Sequence, residues 1–589
     1  MTDSSGNTFN LLRRLQEQNA SSLKKAIESK PASGFDIVPF SEPEADQSFV
    51  NVVVYPQDPF VSEPEVRQMS SRLIGLGLVN ARFQVKDGMS ATAQPDSQGN
   101  YLLWPDKPEF DQINSFYYAT FTLQMFESYA RHVIPWSFGT APLFINPHFG
   151  QGGNAFYNEL DHLLGFNGFV DGDSSVIQSA QSADVVSHET GHAVLDGLRD
   201  LYNESFGLGC AAFHESFGDM AAVLVALHDD SLIQKLLDWT GGDLRLDNFI
   251  ASLAEQVTNR LRANGRDLSE RSVYLRNALN SFVNASFDEL PLSPENPEIQ
   301  LARDSHNYSR VFTGAFYDIL VAIYEDQRTT IADRVAIHRA RDVVGHLLVT
   351  AVELGPVGEL NFADMAKAFL AADKFLNNAE YTHLLIPIFD KRRILPELLA
   401  REYCTSLDNL PSIVAPTIVT SPDTATQYLN DVVRPKLAFL QGYELFPLAA
   451  YTNSAGNIFM TYVVSRRIQL NGAQYREHDG YHVDAFGGLT LAFQTDGSVG
   501  SIYWRPVSDE DVRQIQITTA DLVSRGDMGK FSPQNAQLSI EPYTMLGYWV
   551  KYDRIGLLFK NPVLVDPLPG RRINFKDYLA KWHETLKKR

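Results

Sequence analysis

DVVSHETGHAVLDGL, residues 184–198, sets two histidines four positions apart with a glutamate directly after the first. Val185, Val186, Ala193, Val194 and Leu198 carry the apolar spacing of a helix. On a helix, residues four apart lie one turn above the other on one face, so His188 and His192 can both turn an imidazole nitrogen toward one ion. Glu189 is rotated about 100° from His188, close enough to reach a water on that ion. The pattern H-E-x-x-H thus reads as two metal ligands with a general base beside them.

A catalytic zinc site typically takes three protein ligands and leaves the fourth position to water. The third ligand is expected further along, on another helix, and Glu215 in AAFHESFGDMAAVL is the candidate. Asp219 follows four residues later on the same face, where its carboxylate can accept the outer N–H of a ligand histidine and fix its tautomer. His214 is a second candidate for that supporting role.

Around this centre the chain reads as globular. With 589 residues it has room for roughly two to four domains. A net charge of −21 argues against nucleic acid as the main partner, since phosphate binding needs a basic surface. The two cysteines, Cys210 and Cys404, rule out a disulfide framework and suit a reducing compartment. No apolar run reaches the length of a membrane span, and the N-terminus lacks an apolar secretory region. A soluble cytoplasmic protein is the default expectation, with export lacking a cleaved signal left open.

Three regions are expected. Residues 1–35 form a polar N-terminal arm with a short amphipathic piece. Residues 36–400 begin with the strand-like FVNVVVYP, ARFQVKDG and NYLLWP, continue with the helix DQINSFYYATFTLQMFESYARHV, and end in the helices RVAIHRARDVVGHLLVTAVEL and FADMAKAFLAADKFL. The Pro-, Ser- and Thr-rich LDNLPSIVAPTIVTSPDT then reads as a linker. Residues 401–589 form a separate β-rich accessory domain of open role, in which TDGS marks a hairpin turn.

Taken together, these segments resemble the thermolysin-like zinc endopeptidases, the gluzincins. DVVSHETGHAVLDGL is similar to the family's zinc-histidine helix, and LYNESFGLGCAAFHESFGD to the stretch that follows it. GNAFYN, residues 153–158, resembles the edge strand that pairs with substrate; YLRNALN resembles a segment with a substrate-binding arginine; DSHNYSRVFTGAFYDIL resembles the segment with the oxyanion histidine. The resemblance covers roughly residues 36–398. It implies an α+β fold: a two-lobed zincin with a β-rich N-terminal lobe and an α-helical C-terminal lobe, followed here by the β-rich accessory domain. It implies one catalytic Zn²⁺ on His188, His192 and Glu215, Glu189 as base, and Tyr202 and His306 as oxyanion donors, with Asp304 orienting His306. Asp219 would support a ligand histidine. Asn154, the Ala155 backbone and Arg276 would hold a polypeptide substrate, and Val185 and Leu275 would wall an apolar pocket for the residue after the scissile bond. His214 stands where the family usually has Asn, and Gly218 where it has Ser. Asp184 matches a calcium ligand, but the next expected acid falls near Ala226, which argues against structural Ca²⁺. The competing readings are an inactive peptidase-like binding protein, a gluzincin aminopeptidase, whose G-x-M-E-N segment is missing, and a toxin or adhesin acting through its C-terminal domain.

Overall fold

The computed structural model describes residues 48–151, 155–159, 161–170, 176–203, 205–253, 276–296, 299–417, 419, 421–525, 549–552 and 556–559. The expected N-terminal arm at 1–35, Asn154 and Leu275 lie outside the described residues.

The first part is strand-rich. β1 (Phe49–Val54) and β2 (Glu65–Ser70) form an antiparallel ribbon, followed by β3 (Phe83–Val85). NYLLWP contributes only a single bridge from Tyr101 to Val52 rather than the expected strand. Leu102 and Trp104 stand half in solvent there, and Pro105 offers no N–H to extend a ladder. The long helix α1 (Glu109–Ala130) is buried on almost every side, as its apolar and aromatic content requires. β4 (Leu143–Gln151), β5 (Ala155–Asn158), β6 (Leu163–Val170) and β7 (Val176–Gln178) then complete a sheet of order β3-β4-β6-β5, with β7 also on β6. β5 runs antiparallel to β6, its only partner among the described residues, and so forms an edge.

The second part is helical. α2 (Ala183–Leu198) crosses α3 (Leu208–Ala226), and α4 (Asp230–Thr240) follows with the Asp229 carboxylate accepting the N–H groups of Ser231 and Leu232. The α2–α3 crossing is close because small residues meet there. A Cβ on Gly191 would lie 3.0 Å from the Ala221 Cβ and 3.2 Å from the Gly218 Cα. A two-residue ribbon of β8 (Ser252–Leu253) and β9 (Arg276–Asn277) leads to the short α5 (Ser305–Tyr308). Then come α6 (Arg310–Gln327), α7 (Asp333–Leu354), α8 (Phe362–Asn377), α9 (Thr382–Lys391) and α10 (Glu397–Asp408). A reciprocal box starts α8: the Asn361 side chain accepts from Asp364 N at 3.0 Å, and the Asp364 carboxylate from Asn361 N at 2.9 Å. Among the described residues no single helix is long and apolar enough to cross a membrane; α3 and α4 pass that test only as a bent pair.

The C-terminal part differs from the expected linker and free-standing domain. α10 runs across residue 401. The linker text is built in: Val414 bridges Ser498, Ile413 and Val419 are buried, and Ser421 caps α11 (Pro422–Tyr428) with Pro422 at its first position. β10 (Phe446–Thr452), β11 (Ile458–Leu470), β12 (Tyr481–Phe493) and β13 (Val499–Arg505) form a sheet with β14 (Trp549–Tyr552) and β15 (Gly556–Phe559), in the order β13-β12-β11-β10-β15-β14. The TDGS hairpin is present, with Gly497 at φ 81°. α12 (Asp509–Arg525) lies between β13 and β14 in sequence. Phe459 and Ala492 of this sheet belong to the same apolar core as α1–α10, so the two parts share a core. Partly buried polar contacts reinforce the junction: Arg505 Nε donates to Asp364 Oδ2 at 2.6 Å, and Tyr451 OH donates to Glu353 Oε1 at 2.8 Å.

Candidate metal centre

α2 and α3 bring three ligand-type side chains together. His188 Nε2 and His192 Nε2 are 3.1 Å apart, and Glu215 places Oε2 3.4 Å from the first and Oε1 3.9 Å from the second. All three ligand atoms fall within 4.8 Å of one another. Donors at zinc distances of about 2.0–2.1 Å in a tetrahedral set would sit ~3.3 Å apart. The observed spacings bracket that value, so the donor set is compatible in spacing with such an ion, while Arg276 Nη2 also stands 3.2 Å from His188 Nε2.

The outer nitrogens of both histidines are engaged. His188 Nδ1 lies 3.1 Å from Asp219 Oδ1, and Thr313 Oγ1 donates to the other Asp219 oxygen at 3.1 Å. His192 Nδ1 meets His214 Nδ1 at 3.1 Å. Burial and Arg276 push the His188 imidazole down, but Asp219 and Glu215 outweigh them and hold it at about 9. Burial drives His192 well below the ordinary range, and brings His214 down to about 4. Burial pushes Glu215 up, yet His306, His188, His192 and Arg276 together hold its carboxyl well below the usual carboxylate range. Glu189 is buried beside the group, and that burial raises its pKa.

A search of protein-family models finds no match, and a search of curated proteins finds none either. The functional reading therefore rests on the residues themselves.

His306, on α5, faces the group from the open side: its side chain is 61% exposed, and its Nε2 lies 3.4 Å from Glu215 Oε1. Asp304 Oδ1 sits 4.0 Å from His306 Nδ1 and also caps α5 by accepting from Asn307 N. Arg276 is drawn further in than a substrate-binding arginine was expected to be. Its Nη1 donates to Glu215 Oε2 at 2.9 Å, and its Nε lies 3.0 Å from Asp219 Oδ1. Ala155 lies on the edge strand β5 and Val185 is half-buried on α2.

Tyr202 corrects the sequence reading. Its hydroxyl donates to the Pro356 carbonyl at 2.7 Å, and the ring is buried against Phe213, so its donor is spent in the core rather than at the metal group. One contributor escaped the sequence reading, and a second was noted there only as a departure from the family's pattern. Thr313 lies 94 positions from its partner Asp219 and carries no local signal. Gly218 is the second: a Cβ there would come within 2.6 Å of His188 Nδ1, so the ring or the helix would have to shift. A second carboxylate group, Glu159, Asp196 and Asp200, also gathers within 4.8 Å; Asp184, the calcium candidate, is not part of it. Asp196 there accepts from Ser137 Oγ and Tyr157 OH.

Proposed function

We propose that the chain is a zinc-dependent endopeptidase of thermolysin-like, two-lobed design. The observation that carries this reading is the convergence of His188, His192 and Glu215 at zinc-compatible spacing, with buried Glu189 beside them. The ion, when bound, would acidify a water and polarise a substrate carbonyl. Glu189 takes the proton from the attacking water and returns it to the leaving amine, so that an amide is exchanged for an acid and an amine. His306 donates to the oxygen on which negative charge develops. Asp219 and His214 hold the ligand rings in place. The edge strand β5, whose one strand partner among the described residues is β6, is where an extended polypeptide would add. Val185 belongs to the wall of an apolar pocket for the residue after the cleaved bond.

The test is zinc content and casein cleavage of the wild type beside Glu189→Ala. One zinc in each protein, with cleavage only in the wild type, is the expected result. Absence of zinc from metal-replete wild type would overturn the reading.

A further inference from the structure

The C-terminal part has no role in the chemistry above, yet on two sides it contacts segments that lead into the metal cleft. Phe206 stands immediately before Gly207, the cap of α3, and is buried in the C-terminal cluster of Ile468, Val483, Ile515 and Leu522. The helix that supplies Glu215 and Asp219 therefore starts from a side chain anchored in that part. On the other side, α12 faces the segment leading to His306. Arg513 grips Asp288 with both terminal nitrogens, at 2.7 and 3.0 Å, and Arg303 Nη1 donates to Asp521 Oδ2 at 3.3 Å.

Arg303 is a fixed point. Its backbone N donates to Pro291 O at 2.8 Å, its Nε donates to Phe287 O at 3.3 Å, and its guanidinium lies 4.6 Å over the Phe287 ring. The next residue, Asp304, caps α5, and His306 follows two positions later. Asp521 closes the set from α12; it and Arg303 are each only 20% exposed, so their pairing is less screened than a surface ion pair.

We propose that α12 is a buttress of the metal cleft and that Asp521 is a positioning residue, holding through Arg303 the turn from which Asp304 and His306 enter the site. The consequence for catalysis rests on the peptidase reading; the mechanical consequence does not.

The experiment uses the full-length chain as wild type, Asp521→Ala, Asp521→Glu and Arg513→Ala, with hydrogen exchange, zinc content and peptide kinetics measured on each. Asp521→Ala is expected to speed amide exchange across 299–310 about fivefold while leaving α2, α3 and zinc content unchanged, with Asp521→Glu restoring protection. Arg513→Ala, on the exposed end of the contact, is expected to loosen the amides around Asp288, and it serves if Asp521→Ala fails to fold. In kinetics, Asp521→Ala is expected to lower kcat more than it changes KM, and to have no further effect in a His306→Ala background. Wild-type exchange at 299–310 in Asp521→Ala, or an undiminished kinetic effect in the His306→Ala background, would overturn the proposal. A wild type that holds zinc but cleaves nothing would sink the peptidase reading, and the exchange comparison would then decide the buttress alone.

Discussion

His192 and His214 meet Nδ1 to Nδ1 at 3.1 Å, so one ring must donate and the other accept. With His192 Nε2 turned toward His188 and Glu215, its proton belongs on Nδ1, which makes His214 the acceptor and puts His214's own proton on Nε2. Burial keeps both rings neutral at pH 7. His214→Ala removes the acceptor and is expected to weaken zinc binding about 10- to 100-fold, whereas His214→Asn, whose side-chain oxygen can accept the same proton, keeps most of the affinity. Competition against a chelator of known affinity checks this. Equal losses for Ala and Asn would show that His214 acts through packing alone.

The glycine at 218 is expected to influence how the His188 ring sits. A Cβ there would fall 2.6–2.8 Å from three atoms of the His188 ring, in a crossing already closed by Gly191 and Ala221. Either the ring turns off the ligand position or α3 moves away from α2. Gly218→Ala should therefore lower zinc occupancy at limiting metal and cost about 1–3 kcal/mol of stability, the usual range for overpacking. Full occupancy with unchanged melting would mean that the crossing relaxes freely.

The parts of this molecule that were legible in the sequence are those with local signals. The four-residue histidine spacing, the long apolar helices and the TDGS hairpin are short-range patterns, and the structure has α2, α1, α7, α8 and the β12–β13 turn where they point. Tyr202 misled because its neighbours in sequence suggest a site residue, whereas its partner Pro356 is 154 positions away and competes for the same hydroxyl. The linker misled for a related reason. Its Pro, Ser and Thr content signals a turn-rich path, but not whether that path is packed, and Ile413 and Val419 are held by a core assembled from distant strands. The shared core between the two parts, set by Phe459 and Ala492, has no local signature at all.

Tyr202 and His306 are expected to separate cleanly. His306→Ala removes a donor that faces the metal group and should lower kcat by about 10²–10³ with zinc retained. Tyr202→Phe removes the bond to Pro356 and a longer contact with Met365 Sδ, both in the core, so it should cost about 1 kcal/mol of stability and leave kcat near the wild-type value. Steady-state kinetics with thermal melts on both variants measure the difference. A large kcat loss in Tyr202→Phe would return the hydroxyl to the active site.

Glu359, beside the junction between the two parts, is expected to make the stability of the fold pH-dependent. Its backbone N donates to Phe486 O on β12 at 2.6 Å, while its carboxylate is buried against Ser205 and Cys210. Burial raises its pKa to about 7, against the pull of Ser205 and Arg505. A carboxyl whose pKa is raised on folding contributes stability that is fully present below its unfolded value, near 4.5, and is lost as pH climbs through about 7. The loss is on the order of 3 kcal/mol between those limits. Glu359→Gln stays neutral throughout and keeps an oxygen for the Ser205 hydroxyl. It is therefore expected to melt a few degrees above the wild type at pH 8 and level with it at pH 4.5. Scanning calorimetry at both pH values measures the gap. A gap of the same size at both would mean that the Glu359 proton does not govern this stability, and that whatever the substitution changes is packing.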